Sequence, residues 1–300
     1  MDNKIIIGGN VFGYSCNYKE AEKIIISGLD LGINQIDTAD TYSSGNSEKI
    51  IGKIINKNKL KNKIKIYTKV GSVNYDFSNL NSKKNIYSKV DSSLKRLKID
   101  CIDLYQLHNF DPITPLEETI ESLMALKKSG KIADYGVSNF FKSRLLKIDK
   151  IKKKNLFNQL NLNILNIENE KLSKFCKIIA YGVLGRGVIT DNFFSNKLSY
   201  RKSKSLSIIN DLKNKKLKQY LIKLRKIAIL NDLSLEQLAF NYIYNLKNVS
   251  KLIVGVNDIE SLINLISKKN IKITKNKINK LQKLFLNDFG LSNNILGKFL

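Results

Sequence analysis

The strongest constraint on this chain of 300 residues is an alternation. Apolar runs of strand length recur at 4–9, 33–37, 64–70, 102–108, 134–138, 157–162, 177–183 and 251–256. Between and after them, residues 20–31, 47–55, 82–97, 116–128, 143–151, 168–175, 213–230, 234–246, 258–268 and 275–286 carry helical patterns. Gly32 and Gly130 stand where helices should stop. Eight strands with intervening helices predict an α/β chain folded as a (β/α)8 TIM barrel, with its active site at the C-terminal face of the strands. An open doubly wound sheet is the competing architecture, but no G-x-G-x-x-G follows a strand.

Nothing in the sequence divides the chain. Pro112 and Pro115 share one loop, no Gly/Ser/Pro-rich linker interrupts the pattern, and a hydrophobic content of 43% suits one large core, so 1–300 reads as a single domain. Lys+Arg 52 against Asp+Glu 26 leaves a net charge of +26. The lysines are scattered among asparagines and isoleucines, as in IINKNKLKNKIKI, and all three residue types have A/T-rich codons. A genome-composition bias accounts for the charge without a specific nucleic-acid partner; net charge alone permits only non-specific polyanion binding. Cys16, Cys101 and Cys176 are far apart and lack metal-ligand spacing, so they read as reduced thiols, with no metal site. The opening MDNKIIIGGN is too short an apolar run for a signal peptide, and no stretch approaches the roughly 18 apolar residues of a membrane span. A soluble cytoplasmic protein is expected.

The chemistry is expected in residues 33–55, INQIDTADTYSSGNSEKIIGKII, which read as strand, polar loop and helix. Asp37 closes the strand and Tyr42 lies in the loop, at the barrel face that carries active sites. Alone, the pair also fits a turn-capping acid beside an ordinary half-exposed ring. Two further strand ends break the tie. Lys69 stands next to last in IKIYTKV, and a lysine pointing into a barrel loses water, which is costly unless a carboxylate such as Asp37 pairs with it. His108, the only histidine, closes CIDLYQLH.

Together these four residues make a carbonyl-reducing arrangement. A phenol with an ordinary pKa of about 10 exchanges protons poorly at neutral pH, and a nearby ammonium makes transfer easier. Lys69 supplies that ammonium to Tyr42, Asp37 holds Lys69 charged, and His108 polarises a carbonyl oxygen. The hydride must come from elsewhere, so a nicotinamide cofactor is implied.

DTADTYSSGNSEKIIGKI, IYTKVG, DLYQLHNFDP, YGVSNF, the segment around Gln159 and AYGVLGRG, in that order, resemble the aldo-keto reductase superfamily over nearly the whole chain. The resemblance implies a catalytic tetrad of Asp37, Tyr42, Lys69 and His108 with Tyr42 as general acid/base. It also implies Ser138, Asn139 and Gln159 on the nicotinamide carboxamide, Tyr181 stacked on the nicotinamide ring, and Gly185 and Gly187 in LGRG beside the pyrophosphate. Each has an ordinary structural reading too: helix caps for Ser138 and Asn139, a strand polar group for Gln159, a core ring for Tyr181.

The sequence departs from the family pattern in several places. Gly182 and Val183 stand where members have Ser-Pro, and Val254 where they often have Pro. After Gly255, where a basic or hydroxyl residue usually meets the 2′-phosphate of NADP, the chain reads Val256, Asn257, Asp258. Leu265 replaces an adenine-facing asparagine, with Asn264 one place early. NADP is expected from the family, with NAD as the alternative that Asp258 suggests. No hairpin fits before Lys4, and residues 289–300 form an apolar tail. Residues 184–210 are expected to cover the cofactor, with 195–205 disordered as the alternative. Phe12, 74–80, Phe110, Phe140 and the tail are expected to shape the pocket for a small-molecule carbonyl substrate: an aldehyde, ketone or sugar. The competing function is a cofactor-binding regulatory protein with little turnover.

Overall fold

A computed structural model describes residues 2–72, 80–150, 156–194, 211–273 and 275–289. The expectations for 74–79, 195–205 and the segment after 289 lie outside these residues. Eight parallel strands close into a barrel in the order β1 to β8. They are β1 Ile5–Gly8, β2 Gln35–Asp37, β3 Lys65–Val70, β4 Leu104–Leu107, β5 Tyr135–Ser138, β6 Phe157–Asn161, β7 Lys177–Tyr181 and β8 Val249–Val254. The helices are α1 Tyr18–Asp30, α2 Asn46–Lys57, α3 Lys83–Leu97, α4 Leu116–Lys128, α5 Lys142–Lys150, α6 Asp211–Ile229, α7 Leu235–Tyr244, α8 Ile259–Ser267 and α9 Lys275–Phe289. The predicted (β/α)8 barrel is the observed fold.

Local chemistry explains the boundaries. Asn17 starts α1 by accepting the Glu20 amide at 3.0 Å, and Ser234 with Gln237 forms a full capping box on α7. β8 begins and ends two residues earlier than expected from 251–256. Asp258 accepts the Ser261 amide at 2.7 Å, so the residues just before α8 go into its start instead of extending the strand. β7 stops at Tyr181 because Gly182 turns to φ 70. The helix expected at 168–175 is a 3-10 helix, Glu168–Lys174.

The described residues gather into two compact units. One comprises Met1–Leu160, Leu172–Ile179 and Ile253–Leu262; the other comprises Asn161–Lys171, Ala180–Leu252 and Ile263–Leu300. In the first unit, Tyr67 pairs in register with Leu104, Lys69 with Gln106, and Ser138 with Gln159. Side chains alternate along a strand, so residues two apart share a face. Ile6, Tyr67, Leu104 and Ile179, with Phe157 and Ile253 against them, form an apolar layer contributed by six strands. Two residues further along β3, β4 and β6 stand Lys69, Gln106 and Gln159, so an oily layer supports a polar one. In the second unit, Gln237 Nε2 donates to the Asn264 carbonyl at 2.7 Å and Gln282 Nε2 to Ile164 O at 2.7 Å, tying helices to loops.

Candidate active site

Lys69 is fully buried in the polar layer of the first unit. Its ammonium has three N–H donors and three acceptors: Asp37 Oδ2 at 2.6 Å, the Thr38 carbonyl at 2.7 Å and the Tyr42 hydroxyl at 3.3 Å. Burial by itself would discharge this lysine, but the Asp37 carboxylate and the Tyr42 oxygen outweigh it and raise its pKa above the ordinary value. The second carboxylate oxygen, Asp37 Oδ1, accepts from Gln159 Nε2 at 2.8 Å. Asp37 is therefore held from two sides.

Tyr42 is aimed by an unusual turn. After it, Ser43 (φ 49), Ser44 (φ 55) and Gly45 (φ 82) are all left-handed, a conformation that costs side-chain-bearing residues about 1–2 kcal/mol each. Ser43 Oγ donates to the Phe12 carbonyl at 3.0 Å, which helps hold the turn in place. The ring of His108 meets that of Tyr42 edge-on, with centroids 5.9 Å apart. Burial first, and then the Lys69 charge, push the His108 imidazole down to about 3, so it is neutral at physiological pH. Its Nδ1 is buried without a hydrogen-bond partner among the described residues.

The expected cofactor residues of this unit lie beside the tetrad. Ser138 Oγ donates to the Gln159 carbonyl at 3.1 Å and accepts from Asn139 Nδ2 at 3.1 Å. Asn139 is left-handed at φ 63, and Nδ2 also reaches the His108 carbonyl at 3.4 Å. Gln159 binds Asp37 directly, a link that motif reading did not anticipate. Among the described residues no donor reaches Gln159 Oε1, which is the acceptor that an amide NH2 needs. Asn257 Oδ1 accepts from Ser15 Oγ at 2.8 Å, and a Cβ at Gly255 would stand 3.1 Å from Asn10 Oδ1. Asp258 thus has a local task at α8, and Asn257 a partner in Ser15 on the distant N-terminal segment.

Tyr181, Gly185 and Gly187 belong to the second unit. Tyr181 is half-buried, and its carbonyl accepts from the Leu162 amide at 3.0 Å. In the LGRG turn Gly185 (φ 54), Arg186 (φ 55) and Gly187 (φ 92) are left-handed, and a Cβ at Gly187 would meet open space. The amides of Gly185, Gly187, Val188 and Ile189 donate to carbonyls within this stretch.

Sequence reasoning missed a second buried network on the outer side of β3. Glu48, fully buried at the start of α2, accepts from Thr68 Oγ1 at 2.6 Å and from Arg96 Nε at 2.7 Å. A Cβ on Gly45 would stand 3.2 Å from the Arg96 side chain, so this network packs beneath the turn that carries Tyr42. Asp40 was also missed: among the described residues its Oδ1 is buried without a partner, Oδ2 lies 3.8 Å from Lys89 Nζ, and desolvation raises its pKa to about 6.

The chain belongs to the Aldo/keto reductase family, which it matches over residues 4–285. It is 42% identical to the aldo-keto reductase YhdN of Bacillus subtilis over 137 residues, 45% of this chain and 41% of that protein, so the match spans less than half of the relative's length. It is 28% identical over 249 residues to the aldo-keto reductase yakc [NADP(+)] of Schizosaccharomyces pombe, 77% of this chain and 72% of that one. A glycerol dehydrogenase from Gluconobacter oxydans superposes with a TM-score of 0.78 at 24% identity, covering 97% of this chain and 93% of that one, a likeness of fold.

Proposed function

We propose that the chain is a nicotinamide-dependent oxidoreductase interconverting a carbonyl compound, an aldehyde, ketone or sugar, and its alcohol. The observation that carries this is the ammonium of Lys69, which is bonded at once to a buried carboxylate and to the Tyr42 oxygen. A bound nicotinamide supplies or removes the hydride. Tyr42 acts as general acid in reduction and general base in oxidation; Lys69, charged and 3.3 Å away, stabilises negative charge on its oxygen as the proton leaves. Asp37 keeps that ammonium charged and fixed. His108, neutral, offers its imidazole as a hydrogen-bond donor to the carbonyl oxygen, so it orients substrate without itself protonating it.

Ser138, Asn139 and Gln159 suit the carboxamide of the nicotinamide, Gln159 through its unused Oε1. In the second unit, by itself, Gly185 and Gly187 add no side chain of their own to the LGRG turn, a segment suited to phosphate, and Tyr181 offers an aromatic face. NADP is the cofactor we favour, in line with the family and with the yeast relative's printed name. NAD is the alternative, since Asp258 brings a negative charge next to Asn257. Three unpaired thiols suit a reducing, cytoplasmic setting, and among the described residues no helix is long and apolar enough to cross a membrane. We read the chain as one working domain.

The test is direct: fluorescence titration with NADPH and NADH, then oxidation of the preferred one across a panel of aldehydes, ketones and sugars. Carbonyl-dependent oxidation with saturation is the expected result. Absence of both binding and turnover defeats the reading, and tight binding with background rates on every compound turns it toward a cofactor-sensing role.

A further inference from the structure

Arginine is scarce in a chain whose basic positions are overwhelmingly lysine: Arg96, Arg144, Arg186, Arg201 and Arg225 are all it has. Two of these hold a carboxylate, Arg96 on Glu48 and Arg225 on Asp191, each at 2.7 Å. Arg144 holds none among the described residues. Its guanidinium lies over the ring of Phe110, 3.9 Å from the centroid, with Phe141 5.8 Å away on the same side chain's approach. Burial lowers its pKa, and no carboxylate opposes that effect.

The shelf it rests on adjoins the candidate site. Phe110 stands two residues beyond His108, and its ring meets Phe140 edge-on at 5.7 Å. Phe140 directly follows Asn139, whose side chain reaches the His108 carbonyl. Arg144 itself is in the first turn of α5, so β4 and β5 deliver ring and guanidinium to one rim of the first unit. Stacking on an aromatic face engages the flat of a guanidinium and leaves the N–H edge, a rigid fork matched to two oxygens, for an anion. Lysine offers no such fork.

We infer that Arg144 is a specificity-determining residue that receives the carboxylate of an acidic carbonyl substrate. The inference rests on the oxidoreductase reading and narrows its substrate class. An aldehyde or ketone bearing a carboxylate places the anion on the Arg144 fork, held against Phe110, while the carbonyl lies toward Tyr42 and His108. A phosphate would use the same fork, and the experiment separates the two.

The experiment compares wild type, Arg144→Met, which keeps the apolar stem, and Arg144→Lys, which keeps charge without the fork. Turnover is measured with 4-carboxybenzaldehyde, its neutral methyl ester and 4-formylphenyl phosphate. Calorimetry follows binding of 4-carboxybenzyl alcohol to the cofactor-saturated protein. A charge-assisted bidentate bond of typical strength corresponds to roughly a 10- to 100-fold loss of kcat/KM on the carboxylate in Arg144→Met, with the ester unchanged within about twofold. Arg144→Lys should recover part of the loss, and the calorimetric affinity should fall in parallel. Equal losses on acid and ester, as a packing role would give, overturn the inference, as does an unchanged acid; a larger loss on the phosphate overturns the carboxylate assignment. If even wild type turns over nothing, calorimetry decides alone: acid binding that depends on Arg144 upholds the fork while the oxidoreductase reading falls, and binding indifferent to residue 144 overturns the fork.

Discussion

Thr68 and Lys69 are neighbours on β3, yet they face two different buried ion pairs. On the outer side, Thr68 and Arg96 saturate Glu48 between α2 and α3. On the inner side, Lys69 joins Asp37, but its third donor goes to Tyr42, a half-buried phenol in a strained turn. The outer network closes on itself, whereas the inner one ends on a group able to exchange a proton. Burying a charge pair is costly on either side, and the difference lies in where the last hydrogen bond leads. The outer pair ties α2, β3 and α3 together; the inner pair is the one we propose for chemistry.

Four changes probe that contrast, in falling order of effect. Lys69→Met should abolish measurable turnover and also leave Asp37 uncompensated, costing about 3–5 kcal/mol in urea unfolding; turnover near wild type would erase the distinction. Glu48→Ala should cost a similar ~3–5 kcal/mol by stranding Arg96 and Thr68, but kcat of the folded fraction should stay within about tenfold. A collapse of kcat without loss of stability would assign Glu48 to the chemistry instead.

Asp40→Asn tests the acid whose Oδ1 is buried without a partner among the described residues while its Oδ2 lies 3.8 Å from the Lys89 ammonium. The folded protein holds Asp40 at about 6, above its ordinary 3.8, so its contribution to stability is full below about pH 4 and is lost as pH rises through about 6. The asparagine variant should therefore gain about 1–3 kcal/mol at pH 8 and nothing below pH 4, measured by denaturant unfolding across pH. A gain independent of pH would point to packing rather than charge. The smallest signal is spectroscopic. His108 is the only histidine, so its imidazole resonances are unambiguous and should keep neutral positions from pH 7 down to about 4, given a folded value of about 3. Because that value is depressed, the associated stability is present above about 6.5 and is lost as pH falls toward 3. A midpoint near 6.5 in the folded protein would contradict the buried neutral ring.

Much of this was legible in the sequence because period-two and period-3.6 patterns report burial, and burial decides the barrel. The C-terminal ends of strands located Asp37, Lys69 and His108, at or within one residue of where β2, β3 and β4 stop, on the barrel face that carries active sites. The Glu48–Arg96 pair was not legible: Glu48 follows a serine at a helix start and looks like an ordinary exposed acid in the first turn, and its partner is 48 residues away. Likewise Gln159 was read only through its family role, because a contact between β6 and β2 spans 122 residues and leaves no local pattern. Asp258 was read as a cofactor determinant, although its hydrogen bond to Ser261 supplies a local reason for an acid there.

The central claim is that the phenol of Tyr42, eased by the ammonium of Lys69, is the group that moves the proton. Tyr42→Phe removes one oxygen and leaves the ring against His108. Single-turnover reduction of a carbonyl by the cofactor-loaded protein should slow by about 10²- to 10⁴-fold, with cofactor affinity and melting temperature nearly unchanged. A Tyr42→Phe protein that reduces the same carbonyl at the wild-type rate contradicts the account.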